Sequence, residues 1–389
     1  MAFNTDTLCA LLLAVLAYSA TLSYEHGLLI IDSSVLGYAV LSVIQLAAIF
    51  RWCIRQSAEV DTQMVCVERM LEYANLSPEA PLHAREMHQV ASDTISSPPP
   101  DSWPDKGRIV LSQLSGRYRH NLPRVLKDIS LVIEPGHRIG VVGRTGSGKS
   151  SLISVLFRLF EPDSESSIVI DNISITSIGL HELRPRMSVI VQTPFLITGT
   201  VRDNLDPFEQ YNDEQLWSCL DAAQMREAIL ALGSGLSADV SESGSNFSVG
   251  QKQLLCLARA ILLKRKILIM DEATANIDTK TDGMIQSAVR RNFVGATVIM
   301  VAHRLLTVID CDKILVLSKG KLLEYDHPHI LLAKFIPPWQ MKMYTTEECS
   351  KSSWPPVKAT FAYMVEESGI EAADELRRLA RMSYEIRRF

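Results

Sequence analysis

Gly143–Arg144–Thr145–Gly146–Ser147–Gly148–Lys149–Ser150 decides the fold. The stretch matches G-x-x-x-x-G-K-[ST], and it sits where that motif must sit. An apolar β-type run, Arg138–Val142, precedes it, and a helical pattern from Ser151 to Phe160 follows. Glycines let backbone N–H groups wrap phosphate oxygens, and a helix opening on the loop aims its positive dipole end at them. Lys149 is placed to neutralise the β- and γ-phosphates, and Ser150 to hold Mg²⁺. Gly143, Thr145, Gly146, Ser147, Gly148 and Ser151 complete the expected contact set.

Outward from this loop, residues 108–333 alternate short β-branched runs with helical patterns. Strand candidates are Ile109–Leu111, Ile139–Val142, Ile168–Ile170, Ser188–Val191, Ile267–Met270, Thr297–Val301 and Lys313–Leu317. Helices between several of them predict an α/β fold with a largely parallel central sheet. Residues 213–231 read as a helical subdomain, opened by an Asn212/Gln215 capping box.

Asp271 and Glu272 end the apolar run that begins at Ile267. Asp271 would position Mg²⁺, and Glu272 would polarise the attacking water as general base. Carboxylates at strand ends are common on solvated surfaces; the phosphate loop is what gives this pair a chemical reading. Gln192, just past Val191, can reach both metal and water. His303, just past Ala302, can reach the γ-phosphate, although a single histidine at a strand end is more often structural. Tyr118 precedes the first hairpin and can stack on adenine. These residues call for ATP and Mg²⁺ as ligands.

Taken together they resemble the ATP-binding cassette family, with its motifs in order across 108–333. The resemblance implies an α/β P-loop NTPase of the cassette type: a RecA-like core plus a helical subdomain, preceded here by two transmembrane α-helices. It implies a catalytic set of Glu272, His303 and Gln192. It also implies a signature at 247–251, whose Ser248, Val249, Gly250 and Gln251 would cap an ATP held by a second cassette. Asp278, in Ala275–Asn276–Ile277–Asp278, would lie in the loop that meets that partner.

More narrowly, stretches such as Gly199–Thr200–Val201–Arg202–Asp203–Asn204–Leu205–Asp206–Pro207–Phe208 are similar to the second half of the C subfamily, the multidrug resistance-associated proteins. In that subfamily the two ATP sites differ. This chain keeps Glu272 but carries Phe247 and Val249 where the usual signature has Leu and Gly. The resemblance therefore implies that its own phosphate loop builds the hydrolytic site. Its signature would cap a site that binds ATP and hydrolyses it poorly.

The chain has 389 residues, of which 47% are hydrophobic, with net charge −5 and pI near 6.0. That balance argues against a nucleic-acid partner, which usually meets a basic surface. The seven cysteines are scattered, without a Cys-x-x-Cys pair, and read as free thiols. Residues 8–22 and 33–50 are free of charge, and the second approaches the ~20 residues a helix needs to cross the hydrocarbon core. Arg51 and Arg55 place that helix end in the cytoplasm. The expected organisation is then two membrane helices (about 7–24 and 33–55, with a cytoplasmic extension, within 1–75), a Pro-rich linker (76–107) and the nucleotide-binding domain (108–334). An insert of unknown structure (335–360) and a C-terminal helix (361–389) opened by a Ser368/Glu371 capping box complete it. A signal peptide and buried soluble helices are the competing readings of the apolar runs.

Trp52 and Arg55, one helical turn apart, could hold an organic anion by stacking plus charge, or simply anchor at the interface. The leading expectation is the ATP-hydrolysing portion of a plasma-membrane exporter of amphipathic organic anions. Its partners would be a first cassette, further membrane domains and lipid. The rivals are a non-transport cassette ATPase and an inactive truncated product.

Overall fold

The computed structural model describes residues 2–25, 33–76, 78–83, 99–119, 121–271, 277–302, 304–333 and 360–388. The chain divides into two compact units, Met1–Glu79 and Ala80–Phe389.

The first unit holds α1 (Ala2–Glu25) and α2 (Ser33–Ala74). Among the described residues one stretch, Gly37–Ala74, is long and contains a segment apolar enough to cross a bilayer. Within α1, Ala10–Leu22 is a shorter apolar run among the described residues. α2 continues unbroken through residues 57–73, so the expected crossing and its extension are one helix.

Among the described residues, twelve strands carry the second unit. They are β1 (Ile109–Gly116), β2 (Leu126–Ile133), β3 (Arg138–Val142), β4 (Ser167–Ile170), β5 (Ile173–Ser174), β6 (Ser188–Ile190), β7 (Gly199–Thr200), β8 (Asp239–Val240), β9 (Ile267–Asp271), β10 (Thr297–Val301), β11 (Lys313–Ser318) and β12 (Lys321–Asp326). The central sheet has the order β12-β11-β3-β10-β9-β6. Its pairs from β11 to β6 are parallel, and β12 returns antiparallel at the edge. Every residue of β10 is buried, as a parallel strand covered on both faces requires.

A separate four-stranded antiparallel sheet, β2-β1-β4-β5, lies beyond the single-sheet expectation. Its β1–β2 ladder is interrupted by register shifts near Leu114, where Gln113 and Asp128 adopt φ of 50° and 51°. Helices from Val201 to Leu263 form the helical subdomain. The Asn212/Gln215 capping box is made, with bonds of 2.9 and 3.1 Å.

Two boundaries differ from the sequence expectation. Residues 99–107, read as linker, pack into the second unit. The Trp103 ring is 5% exposed, and its indole N–H donates to the Ile170 carbonyl at 2.9 Å. The Asp171 carboxylate accepts the amides of Lys106, Gly107 and Arg108, each at 2.8 Å. The C-terminal segment is two helices, Phe361–Glu366 and Ile370–Arg388. Ser368 does not cap the second; its hydroxyl donates back to Val365, and Gly369 takes the turn at φ 98°. Phe361, Val365, Leu376 and Ala380 are buried in the core of the second unit, so these helices are part of it. Thr360 caps the first of them. Residues 335–359 of the expected insert lie outside the described residues.

Candidate functional site

Parallel strands in register bring their carboxyl ends to one edge. Val141 of β3, Val301 of β10 and Asp271 of β9 lie in one row, with Ile190 of β6 level with Met270. The glycine-rich loop leaves β3 at that edge, Gln192 follows β6, and Asp271 ends β9. In open α/β sheets this is the edge that receives ligands. Glu272 and His303, which would follow β9 and β10, lie outside the described residues.

The loop is folded tightly upon itself. A Cβ on Gly143 would stand 2.4 Å from the Leu317 carbonyl and 2.6 Å from the Ser147 hydroxyl, so only glycine fits. Gly148 caps helix Lys149–Leu156 at φ 105°, with no side-chain cap on the helix N-terminus. A capping side chain would fill the space where N-terminal amides otherwise donate to a ligand oxygen. Lys149 is buried, and its ammonium donates to the carbonyls of Gly143 at 2.8 Å and Arg144 at 3.3 Å. The Ser147 hydroxyl is buried without a hydrogen-bond partner among the described residues. Gly146 faces open space, and Thr145 and Ser150 are exposed.

Tyr118 is tied to this loop. Its phenol shares a 2.9 Å hydrogen bond with the buried Ser151 hydroxyl, and its ring lies 4.6 Å from that of Phe160. The ring remains 52% exposed, which leaves surface for stacking. Ser151 thus serves Tyr118 in this structure. Asp271 is half-buried, and Gln192 is exposed.

The signature residues begin helix Val249–Leu263. Ser248 is its cap: its hydroxyl accepts the Gln251 amide at 3.2 Å, and the Gln251 side chain accepts the Ser248 amide at 2.9 Å. The two side chains predicted to face a partner's nucleotide thus form a capping box, which presents the first-turn amides. Gly250 runs close to Thr281, where a Cβ would meet the methyl at 3.0 Å. Phe247 is 7% exposed and packed in the core, whereas Val249 is 48% exposed. Asp278 caps helix Thr279–Asn292, and hydrogen bonds from the Thr281 amide and hydroxyl hold its carboxyl below the ordinary value. Trp52 and Arg55 are both exposed on α2, in the other unit.

Sequence reasoning missed Gln253 and Arg259 on helix Val249–Leu263. Gln253 is 1% exposed, and its amide donates to the carbonyls of Val191 at 2.9 Å and Gln192 at 3.2 Å. The signal was present: Gln253 stands one turn before Leu257 on the apolar face, where a polar residue needs a partner.

Residues 126–275 match the family described as ABC transporter. The chain is 46% identical over 331 residues to human ATP-binding cassette sub-family C member 4, covering 85% of this chain and 24% of that protein. It is 43% identical over 330 residues to sub-family C member 2 of Rattus norvegicus, covering 85% and 20%. It is 42% identical over 334 residues to the metal resistance protein YCF1 of Saccharomyces cerevisiae, covering 86% and 21%. The chain spans about a quarter of the length of the curated relatives it matches.

Proposed function

This chain belongs to the ATP-binding cassette family, on its C-subfamily branch, and on that premise we propose that it is the ATP-hydrolysing portion of a membrane exporter of amphipathic organic anions. The observation that carries the reading is the shared carboxyl edge of β3, β9 and β6, which brings the glycine-rich loop, Asp271 and Gln192 together. An anionic oxygen is what this edge fits. The uncapped helix N-terminus offers amides, Lys149 offers charge, and the buried Ser147 hydroxyl awaits an acceptor or donor.

In this reading the loop amides and Lys149 hold the phosphates of ATP, and Tyr118 takes the adenine face. Ser150, Asp271 and Gln192 are hard oxygen donors that would hold Mg²⁺, which neutralises charge on the β- and γ-phosphates. Glu272 would take the proton of the attacking water, with His303 and Gln192 orienting it. Ser248, Val249, Gly250 and Gln251 would cap an ATP held by a first cassette, with Asp278 in the contact loop. α1 and α2 would lie in the membrane as the last helices of a larger bundle, with Trp52 and Arg55 on the anion path.

The test is ATP-dependent uptake of a fluorescent organic anion into inside-out vesicles carrying the full-length transporter. Uptake is expected from the unaltered protein and is expected to vanish in Lys149→Met and Glu272→Gln, while Arg55→Ala weakens it. ATP hydrolysis without any anion uptake would favour the non-transport cassette instead.

A further inference from the structure

Helix Val249–Leu263 begins at the signature and is bolted along its length to the segment that follows β6. Near its start, the buried Gln253 donates to the carbonyls of Val191 and Gln192. Those two carbonyls are acceptors, so the amide must turn its NH2 toward them. Its oxygen is then left buried without a partner among the described residues. That is tolerated only where the donor side is in demand.

Nearly two turns further on, Arg259 donates to the Phe195 carbonyl at 2.8 Å and to the Asn204 side-chain oxygen at 2.7 Å, and also to the Asn204 carbonyl. Asn204 is 2% exposed. Its amide in turn donates to the carbonyls of Ile197 at 2.8 Å and Thr200 at 3.0 Å, and its oxygen accepts the Ile197 amide at 3.0 Å. Backbone groups from 191 to 200 are thereby held from one helix. None of these contacts depends on a side chain of the phosphate loop.

We propose that Gln253 and Arg259 are positioning residues that make the signature helix and the Gln192 segment move as one body. The inference rests on the reading above, in which Gln192 serves this chain's own nucleotide and Ser248–Gln251 serve the partner's. A shift of the helix when a partner cassette docks on the signature then displaces the backbone that carries Gln192. The two nucleotide sites are coupled through one rigid helix. Removing the Gln253 donor leaves the phosphate loop intact and lets the Gln192 segment lag behind the helix.

The experiment compares the full-length transporter with its Gln253→Met and Arg259→Lys variants. Met keeps the volume without the donor, and Lys keeps the charge without the fork. Because misplacement by an ångström far from the chemistry can cost on the order of a hundredfold, we expect kcat for ATP hydrolysis to fall at least about tenfold. We expect KM for ATP to stay within about twofold, as for loss of an interaction made only beyond ground-state binding. Amide hydrogen exchange across residues 191–197 should speed up in both variants. A variant with unaltered kcat overturns the proposal, as does kcat falling in step with a rise in KM. Should Gln253→Met fail to fold, the exchange rate and kcat of Arg259→Lys decide by the same criteria. Unaltered protein that hydrolyses ATP without exporting an anion would refute the exporter reading alone. Protein that hydrolyses no ATP would refute both.

Discussion

Trp103 should behave as a core residue of the cassette even though a run of prolines surrounds it. Its ring is 5% exposed and its indole N–H is bonded to the Ile170 carbonyl. Truncating a buried tryptophan to alanine costs about 3–5 kcal/mol, cavity included. Trp103→Phe keeps most of the volume and loses the bond, so about 1–2 kcal/mol is expected. The measurement is urea unfolding of the polypeptide 80–389, followed by circular dichroism so that loss of the fluorophore does not matter. With a slope of about 3 kcal/mol/M, the midpoint should fall by about 1–1.7 M for alanine and by about 0.3–0.7 M for phenylalanine.

A polypeptide beginning at Arg108 should lose at least as much, since the Lys106 and Gly107 amides that Asp171 accepts leave with Trp103. The segment also matters to the site. Arg186 donates to the carbonyls of Asp101 and Trp103, two residues before β6 and six before Gln192. A midpoint shift below about 0.2 M for Trp103→Ala would refute the reasoning, because a docked ring cannot be removed so cheaply.

Three other substitutions follow from the same packing. Burial pushes the Asp163 carboxyl up, but hydrogen bonds and charge from Arg117 and Arg124 outweigh it and leave the carboxyl below its ordinary 3.8. A depressed folded value means stability present above the unfolded value and lost as pH falls through the folded one. Asp163→Asn should therefore destabilise the cassette at pH 7, and thermal melts should show the gap closing below about pH 4. At the signature, Phe247→Ala should cost about 3–5 kcal/mol because the ring is in the core, whereas Val249→Ala should stay within about 0.5 kcal/mol, as measured by the same denaturant titration.

How much of this was readable in advance differs by element. The seven strand candidates each coincide with a strand, because buried parallel strands such as β10 read as unbroken apolar runs. β2 escaped notice because Leu126–Ile133 mixes Lys127, Asp128 and Ser130 into its pattern, and the ladder is bulged where Gln113 and Asp128 turn left-handed. β12 escaped because Lys321–Asp326 is an edge strand whose side chains are only partly buried. The loop residues Gly143–Ser150 were legible because sterics admit few residue types there. Gln253 was legible only as a polar residue on an apolar helix face; which carbonyls it serves was not, because Val191 and Gln192 lie 62 and 61 residues away in sequence. The prolines at 98–100 suggested a free linker, since composition says nothing about a single tryptophan finding a socket 67 residues away.

The structure also separates the two departures in the signature, which the sequence presents as a pair. Phe247 is buried in the core, so a phenylalanine for leucine there changes packing rather than the surface open to a partner. Val249 is the first residue of the helix, exposed, between the Ser248 cap and Gly250. Amides of a helix N-terminus attract an anion only within the first turn, and the attraction falls off quickly with distance. A glycine at that position would leave no side chain beside those amides, whereas Val249 places an exposed isopropyl group next to them in the chain. If a partner's ATP is capped here, its terminal phosphate meets apolar surface beside the donors. Any asymmetry between the two nucleotide sites that arises from this chain's signature must then come from Val249, since Phe247 is out of reach and Ser248 and Gln251 keep the helix start in order.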